Sequence, residues 1–490
     1  MKKTIDNLAR DLRFISMTFP VNEWLYKNYH IWPVICGILH NYNYDFKGEE
    51  EKKYDTVSRV NLLTKTLSLV LRVLKIIKRV FILIFRQLFF VILNKNSVFV
   101  NKKADNLFLS DGISKTFLSG FFWENFSPTE SSFLKNKKLS FLIFDPGAGY
   151  NKYPTKLPTA LLLIRRYIIY LKARFYKNRA KNKSDFAKYD KFLDIIEKKY
   201  GVIFKDRLQV QRLYQDLEEV FLWSKYWERV LENTQAKKVY IVSYYSVLGW
   251  GLCLACNSKG IKVIEIQHGV ISEGTAQYTG WKSMPVSGYK CLPNSFYLWG
   301  EYEKKELQKY YKNGDLELCV KGHLWVQYYL KNQELFEKNF QKNVKEIRKI
   351  FSVAKKNILI AHQAVPELEN CYKPLLQVIR KKKDWNFYFR KHPAGDKLSR
   401  NNAPELFMTH KLQNFFMHDP TSIPLYFMIL NTDCIVTPNS SVCVEGDLLN
   451  KRTIFLLDSV VANRQKQRHK KNLVATTSTD LVKLIERATS

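Results

Sequence analysis

The chain is expected to be α/β, with two Rossmann-like, parallel-sheet units facing a cleft and basic amphipathic helices added to them. Three observations lead there. From about residue 139 short apolar runs alternate with helical stretches, as βα units do. A charged helical stretch at 327–355 splits that alternation into two parts. The length, 490 residues, exceeds what one ordinary core organises.

Taken in order, residues 1–60 read as helical and aromatic, with Trp24, Tyr26, Tyr29 and Trp32 as a packing cap. Residues 65–94 are a run of Leu, Ile, Val and Phe interrupted by Lys65, Arg72, Lys75, Lys78, Arg79 and Arg86. On a helix those cations fall on an arc of roughly 140°, leaving the opposite side apolar. The run is too often charged to span a bilayer. It suits a helix lying in the headgroup region of an anionic membrane; the other reading is a helix packed on the protein with its basic face in water. A second basic helix is expected from Thr159 to about Lys183. The resulting division is a helical region at 1–135, a first sheet unit at 136–326 with a basic insertion at 159–205, the connector at 327–355, and a second sheet unit at 356–490.

Strands of the first unit are expected at Leu139–Phe144, Val239–Ser243, Val263–Ile266, Phe296–Trp299 and Leu318–Val320. Those of the second are expected at Ile358–Ala361, Phe387–Arg390, Phe415–Met417, Cys434–Val436 and Ile454–Leu457. Right-handed crossovers would make both sheets parallel and cover both faces.

Composition narrows the class. Apolar and charged fractions of 46% and 25% fit a folded chain and exclude a disordered one. Lys and Arg number 79 against 45 acids, a formal +34, so a polyanion is expected nearby: anionic lipid, nucleic acid or a phosphorylated substrate. Eight cysteines without framework spacing read as reduced, buried thiols of a cytosolic protein. Residues 1–6 lack the apolar core of a signal peptide, which places the catalytic body in the cytoplasm. Asp-x-Asp, His-Glu-x-x-His and Cys/His clusters are all missing, so no metal site is expected.

Ligands of open α/β sheets bind outside the carboxyl ends of the strands. Arg390-Lys391-His392-Pro393 follows one such strand. Pro393 restricts His392 to extended backbone, and a rigid imidazole beside two cations suits a phosphate-bearing leaving group. Ser440 and Ser441 stand where a helix should begin, a place that binds phosphate, and Glu445 lies one turn along, able to accept ribose hydroxyls. In the first unit His268, between Gln267 and Gly269, ends a strand and is a candidate catalytic residue. Asp145 and Glu273 are rival candidates for a general base, and the choice between them stays open.

Together, Gln267-His268-Gly269, Arg390-Lys391-His392-Pro393 and Ser440-Ser441-(x)3-Glu445 resemble the bacterial GT-B glycosyltransferases of capsule and lipopolysaccharide assembly. The likeness is above all to Kdo transferases and polysialyltransferases, and more distantly to teichoic-acid glycerophosphotransferases. It covers roughly residues 139–460. It implies that His392, Ser440 and Ser441 hold the nucleotide phosphate, and that the first unit binds the acceptor and supplies the base. The two acids before a glycine found in polysialyltransferases are not evident here, which leaves the base and the sugar open. The expectation is therefore a metal-independent glycosyltransferase with no cofactor beyond its nucleotide-sugar donor. The donor is CMP-linked by family analogy, the acceptor is a lipid-linked glycan, and the site of action is the inner face of the plasma membrane. Transfer of glycerol phosphate from a CDP-linked donor is the alternative. Nucleic acid is disfavoured as a partner, because the basic residues lie on helices with large apolar faces and no nucleic-acid module is present.

Overall fold

The computed structural model describes residues 8–46, 62–93, 103–112, 115–118, 121–124, 140–146, 155, 158–177, 185–311, 316–362, 368–391, 407–410, 412–418, 423–469 and 473–489. After a two-residue hairpin, β1 (Leu25–Tyr26) and β2 (Tyr29–His30), the chain builds two parallel sheets. The first contains β3 (Asn106–Leu109), β6 (Phe141–Asp145), β7 (Thr159–Leu161), β8 (Lys238–Ile241), β9 (Lys262–Ile266), β10 (Ser295–Leu298) and β11 (Glu317–Val320). Their spatial order is β11-β10-β9-β8-β3-β6-β7. The second contains β12 (Lys356–Ala361), β13 (Trp385–Arg390), β14 (Phe415–His418), β15 (Cys434–Thr437) and β16 (Thr453–Phe455), in the order β14-β13-β12-β15-β16. An antiparallel hairpin, β4 (Lys115–Leu118) and β5 (Phe121–Glu124), stands apart from both. This is a two-domain α/β architecture with one parallel sheet in each domain.

The strands form where the sequence is apolar on both faces: Phe141–Asp145 and Cys434–Thr437 are buried throughout. Parallel sheets covered by helices require such runs. In the first unit the helices Val210–Thr234 and Val247–Ser258 cover one face, with Trp223, Trp227 and Trp250 fully buried. Each large side chain so buried contributes roughly 1.5–3 kcal/mol. Gly251 permits the close crossing, since a Cβ there would stand 2.5 Å from that of Trp223. Ser246 starts the second of these helices by accepting the Gly249 amide.

Two expectations are corrected. The interior strand β3 lies at 106–109, inside the region read as helical, so the first sheet draws on residues well before 136. Three apolar residues after an asparagine carry no period, and only pairing to β6 and β8 makes Asn106–Leu109 a strand. Likewise Thr159–Leu161 is the edge strand β7, and the basic helix begins only at Leu163, running to Lys177. The connector is three short helices, Leu324–Lys331, Gln333–Asn339 and Gln341–Phe351.

The long basic helix runs Leu62–Leu93, with side chains described from Ile77 to Ile92. It meets the body through Leu83 and Phe90 against Leu161 and Leu163, and through Gln87, which donates to the Leu161 carbonyl. Ile77, Phe81, Ile84, Phe85, Leu88 and Ile92 recur at helical spacing on another face and are exposed, Phe81 at 70% and Ile92 at 75%. No helix among the described residues is long and apolar enough to cross a membrane.

Candidate functional site

Gln267 follows β9 directly and is buried. Its side-chain oxygen accepts the Trp299 amide at 2.7 Å and its nitrogen donates to the Gly269 carbonyl at 2.9 Å. Gln267 therefore ties β9 to β10 and fixes the turn that carries His268. The His268 Nε2 lies 2.9 Å from both Ser243 Oγ and Tyr245 OH, beyond the end of β8. Nδ1 lies 3.8 Å from Glu265 Oε1, and the Ile266 backbone favours the protonated ring. With the ring proton on Nδ1, Nε2 is the nitrogen that can accept. Burial holds the imidazole below its ordinary value, against the opposing pull of Asp111, so His268 is neutral near pH 7. Ser243 sits at φ 57°, a left-handed conformation that costs a non-glycine residue roughly 1–3 kcal/mol. Behind them Glu265 is fully buried, accepts Tyr278 OH at 2.6 Å, and is pushed well above the usual carboxylate range by burial.

The two rival acids lie in different settings. Asp145 ends β6 and forms a fully buried ion pair with Lys115 at 2.5 Å. Lys115 belongs to the β4–β5 hairpin, whose Leu118 and Trp123 pack with Trp325, Tyr329 and Tyr426 of the connector and second unit. Asp145 thus anchors a hairpin that spans both units. Glu273 is exposed and pairs with Arg13 of the helix Leu8–Thr18 at 3.5 Å. A third acid, Asp111, follows β3 and acts on His268 through its charge. Sequence reasoning passed over it, although a single acid before Gly112, at the end of an apolar run, was a readable signal.

In the second unit Glu445 lies in the helix Val442–Leu448. A Cβ on Gly446 would fall 2.6 Å from Ile435 Cδ1, so glycine lets this helix press onto β15. Glu445 Oε1 accepts Tyr426 OH at 3.1 Å and lies 3.5 Å from His323 Nε2. Ser440 is buried and its Oγ accepts the Val442 amide; Ser441 makes no side-chain cap. Arg390 ends β13, donates to the Ile423 carbonyl at 2.8 Å, and acts electrostatically on Tyr426, which puts it in the neighbourhood of Glu445. Lys391 follows, half-buried. His392 and Pro393 lie outside the described residues.

The two halves meet. Val270, two residues past His268, shares an apolar cluster with Trp299, Cys443, Val444, Phe455 and Ala462. The His268 loop and the Ser440–Glu445 segment therefore pack against each other. A buried ion pair between Glu303 and Arg464 joins the units beside that contact. Asp145 and Glu273 stand on Lys115 and Arg13 instead. A cleft with a neutral imidazole on one wall and cations, serines and a carboxylate on the other can grip an anionic, hydroxyl-rich ligand and accept a proton.

No protein-family model matches the chain, and no curated protein matches it. Among solved structures it is similar to the UDP-GlcNAc 2-epimerase of Methanocaldococcus jannaschii, at 13% identity and a TM-score of 0.47, over 79% of this chain and 92% of that one. It is also similar to the UDP-GlcNAc 2-epimerase of Neisseria meningitidis bound to UDP-GlcNAc, at 12% and 0.47, over 78% and 90%. The spinosyn rhamnosyltransferase SpnG follows at 9% and 0.38, over 78% and 90%. Likenesses this distant fix neither substrate nor reaction for this chain.

Proposed function

We propose that the chain is a metal-independent glycosyltransferase that moves a sugar from a nucleotide-activated donor, CMP-linked in preference, to a lipid-linked surface glycan. The observation that carries this reading is the apolar cluster that seats the Gln267-His268-Gly269 loop against the Ser440–Glu445 helix. It supports the reading by seating a candidate proton acceptor beside candidate phosphate- and ribose-binding residues. In this reading Arg390, Lys391, His392, Ser440 and Ser441 stabilise the departing nucleotide phosphate, and Glu445 takes the ribose hydroxyls. His268, neutral through burial and flanked by Asp111, takes the proton of the acceptor hydroxyl. Asp145 serves the hairpin, and Glu273 the contact with Arg13.

The test is a panel of CMP-, CDP-, UDP- and GDP-linked donors offered to purified protein, with and without a chelator. CMP-sugar consumption that survives chelation is expected. Turnover of CDP-glycerol alone overturns the sugar-transfer reading, and loss on chelation overturns metal independence.

The same reading places the enzyme at the inner face of the plasma membrane. The exposed apolar face of the helix Leu62–Leu93 supports this, with Lys78 at its border, because apolar burial and attraction to anionic lipid add together. Removing residues 65–94 is expected to abolish sedimentation with anionic vesicles; undiminished sedimentation counts against the assignment.

A further inference from the structure

We propose that His323 is a positioning residue of the donor site, holding the Glu445 carboxylate by one oxygen and tying it to the Gln267-His268-Gly269 loop of the other unit. This rests on the donor reading of Glu445 above. His323 follows β11 and is buried at the start of the helix Leu324–Lys331. Its Nδ1 accepts the Val326 amide at 3.4 Å, so the ring proton resides on Nε2. Nε2 lies 3.5 Å from Glu445 Oε1. Tyr426 OH donates to that same oxygen, which leaves Oε2 as the atom offered to a ligand hydroxyl.

The imidazole is fixed from the other side as well. It stacks on Trp299, ring centroids 4.5 Å apart and planes within 22°. The Trp299 amide is the one held by Gln267. A continuous path therefore runs from the turn that carries His268, through Trp299 and His323, to Glu445. Each member is ordered by a named contact. A ribose that engages Glu445 meets a carboxylate already oriented against the acceptor wall, which lowers the conformational cost of binding.

The test uses two isosteres. An Asn side chain reproduces the Nδ1 position, keeping the cap on Val326 and losing Glu445. A Gln side chain reproduces the Nε2 position, keeping Glu445. Calorimetric titration with CMP is expected to give binding about tenfold weaker in His323→Asn and near the wild type in His323→Gln. In the transfer assay the donor KM of His323→Asn rises by about the same factor, with kcat little changed. Adding Glu445→Gln to His323→Asn weakens binding no further than Glu445→Gln alone. Binding by His323→Asn equal to the wild type overturns the proposal, as does full additivity with Glu445→Gln. If His323→Asn is destabilised, the pair His323→Gln and His323→Leu decides, since both lose the cap on Val326: tighter CMP binding by the Gln variant supports the proposal, and equal binding by the two refutes it. Wild-type protein that binds none of the nucleotides overturns the donor reading, and this proposal with it.

Discussion

The two walls of the cleft are built on opposite plans. Around His268 the first unit closes its polar groups on one another: Ser243 and Tyr245 hydrogen-bond the half-buried imidazole, Tyr278 hydrogen-bonds the buried Glu265 behind it, and Ser243 is held in a left-handed conformation. Around Arg390 and Ser441 the second unit sets half-buried polar groups at a strand end and a helix start, beside the buried Ser440 and Glu445. Under the proposed function, the difference matches what each wall would do. A proton acceptor works when its tautomer and charge are fixed before substrate arrives, which enclosure provides. A phosphate grip works by attracting a charged ligand out of water, and that needs cations the solvent can still reach.

The largest effect expected from this contrast lies at the enclosed wall. His268→Ala is expected to lower transfer by about 10²–10⁴-fold with little change in donor affinity. Single-turnover kinetics and CMP titration check the two halves of that statement. Loss of donor affinity with unchanged chemistry would assign His268 to the other wall.

The enclosed wall should also declare itself in stability against pH. Glu265 has its folded value raised by burial. Between 4.5 and that raised value the folded protein holds a proton that the unfolded chain has released, so Glu265 lowers stability as pH rises. His268 acts in the opposite direction. Its folded value is lowered, so below 6.5 the unfolded chain takes a proton that the folded one refuses, and stability falls as pH drops. Glu219, raised by burial to about 7, shares the sign of Glu265, so the comparison must be between variants. Glu265→Gln is expected to flatten the decline in Tm as pH rises above about 5. Parallel wild-type and variant curves would show that Glu265 does not titrate in that range.

The same contrast explains what could be read from sequence. The five strands of the second sheet were legible because each is an apolar run bounded by turn residues. The strands β3 and β7 were not, since four and three residues have no period and owe their state to neighbours. His268 announced itself through Gln267 and Gly269 at a strand end. Ser243 did not, because its signal is a backbone angle, and His323 stood just before a connector read as starting at 327. Residues of the exposed wall, Arg390 to Ser441, could be named from composition and order alone. Those of the enclosed wall depend on which side chains the sheet brings together, and spacing does not encode that.

The smallest effect tests whether the second wall is as open as it looks. Lys391 is half-buried and follows β13 beside Arg390. If it acts as an attracting charge in reach of solvent, Lys391→Gln should weaken CMP binding about fivefold at low ionic strength and leave Tm unchanged. The difference should fade as salt is raised, because the screening length shrinks from about 10 Å at 0.1 M to about 3 Å at 1 M. Titrations of both proteins across that range measure it directly. A loss that persists undiminished at high salt means direct contact shielded from counterions, and the second wall would then be as enclosed as the first.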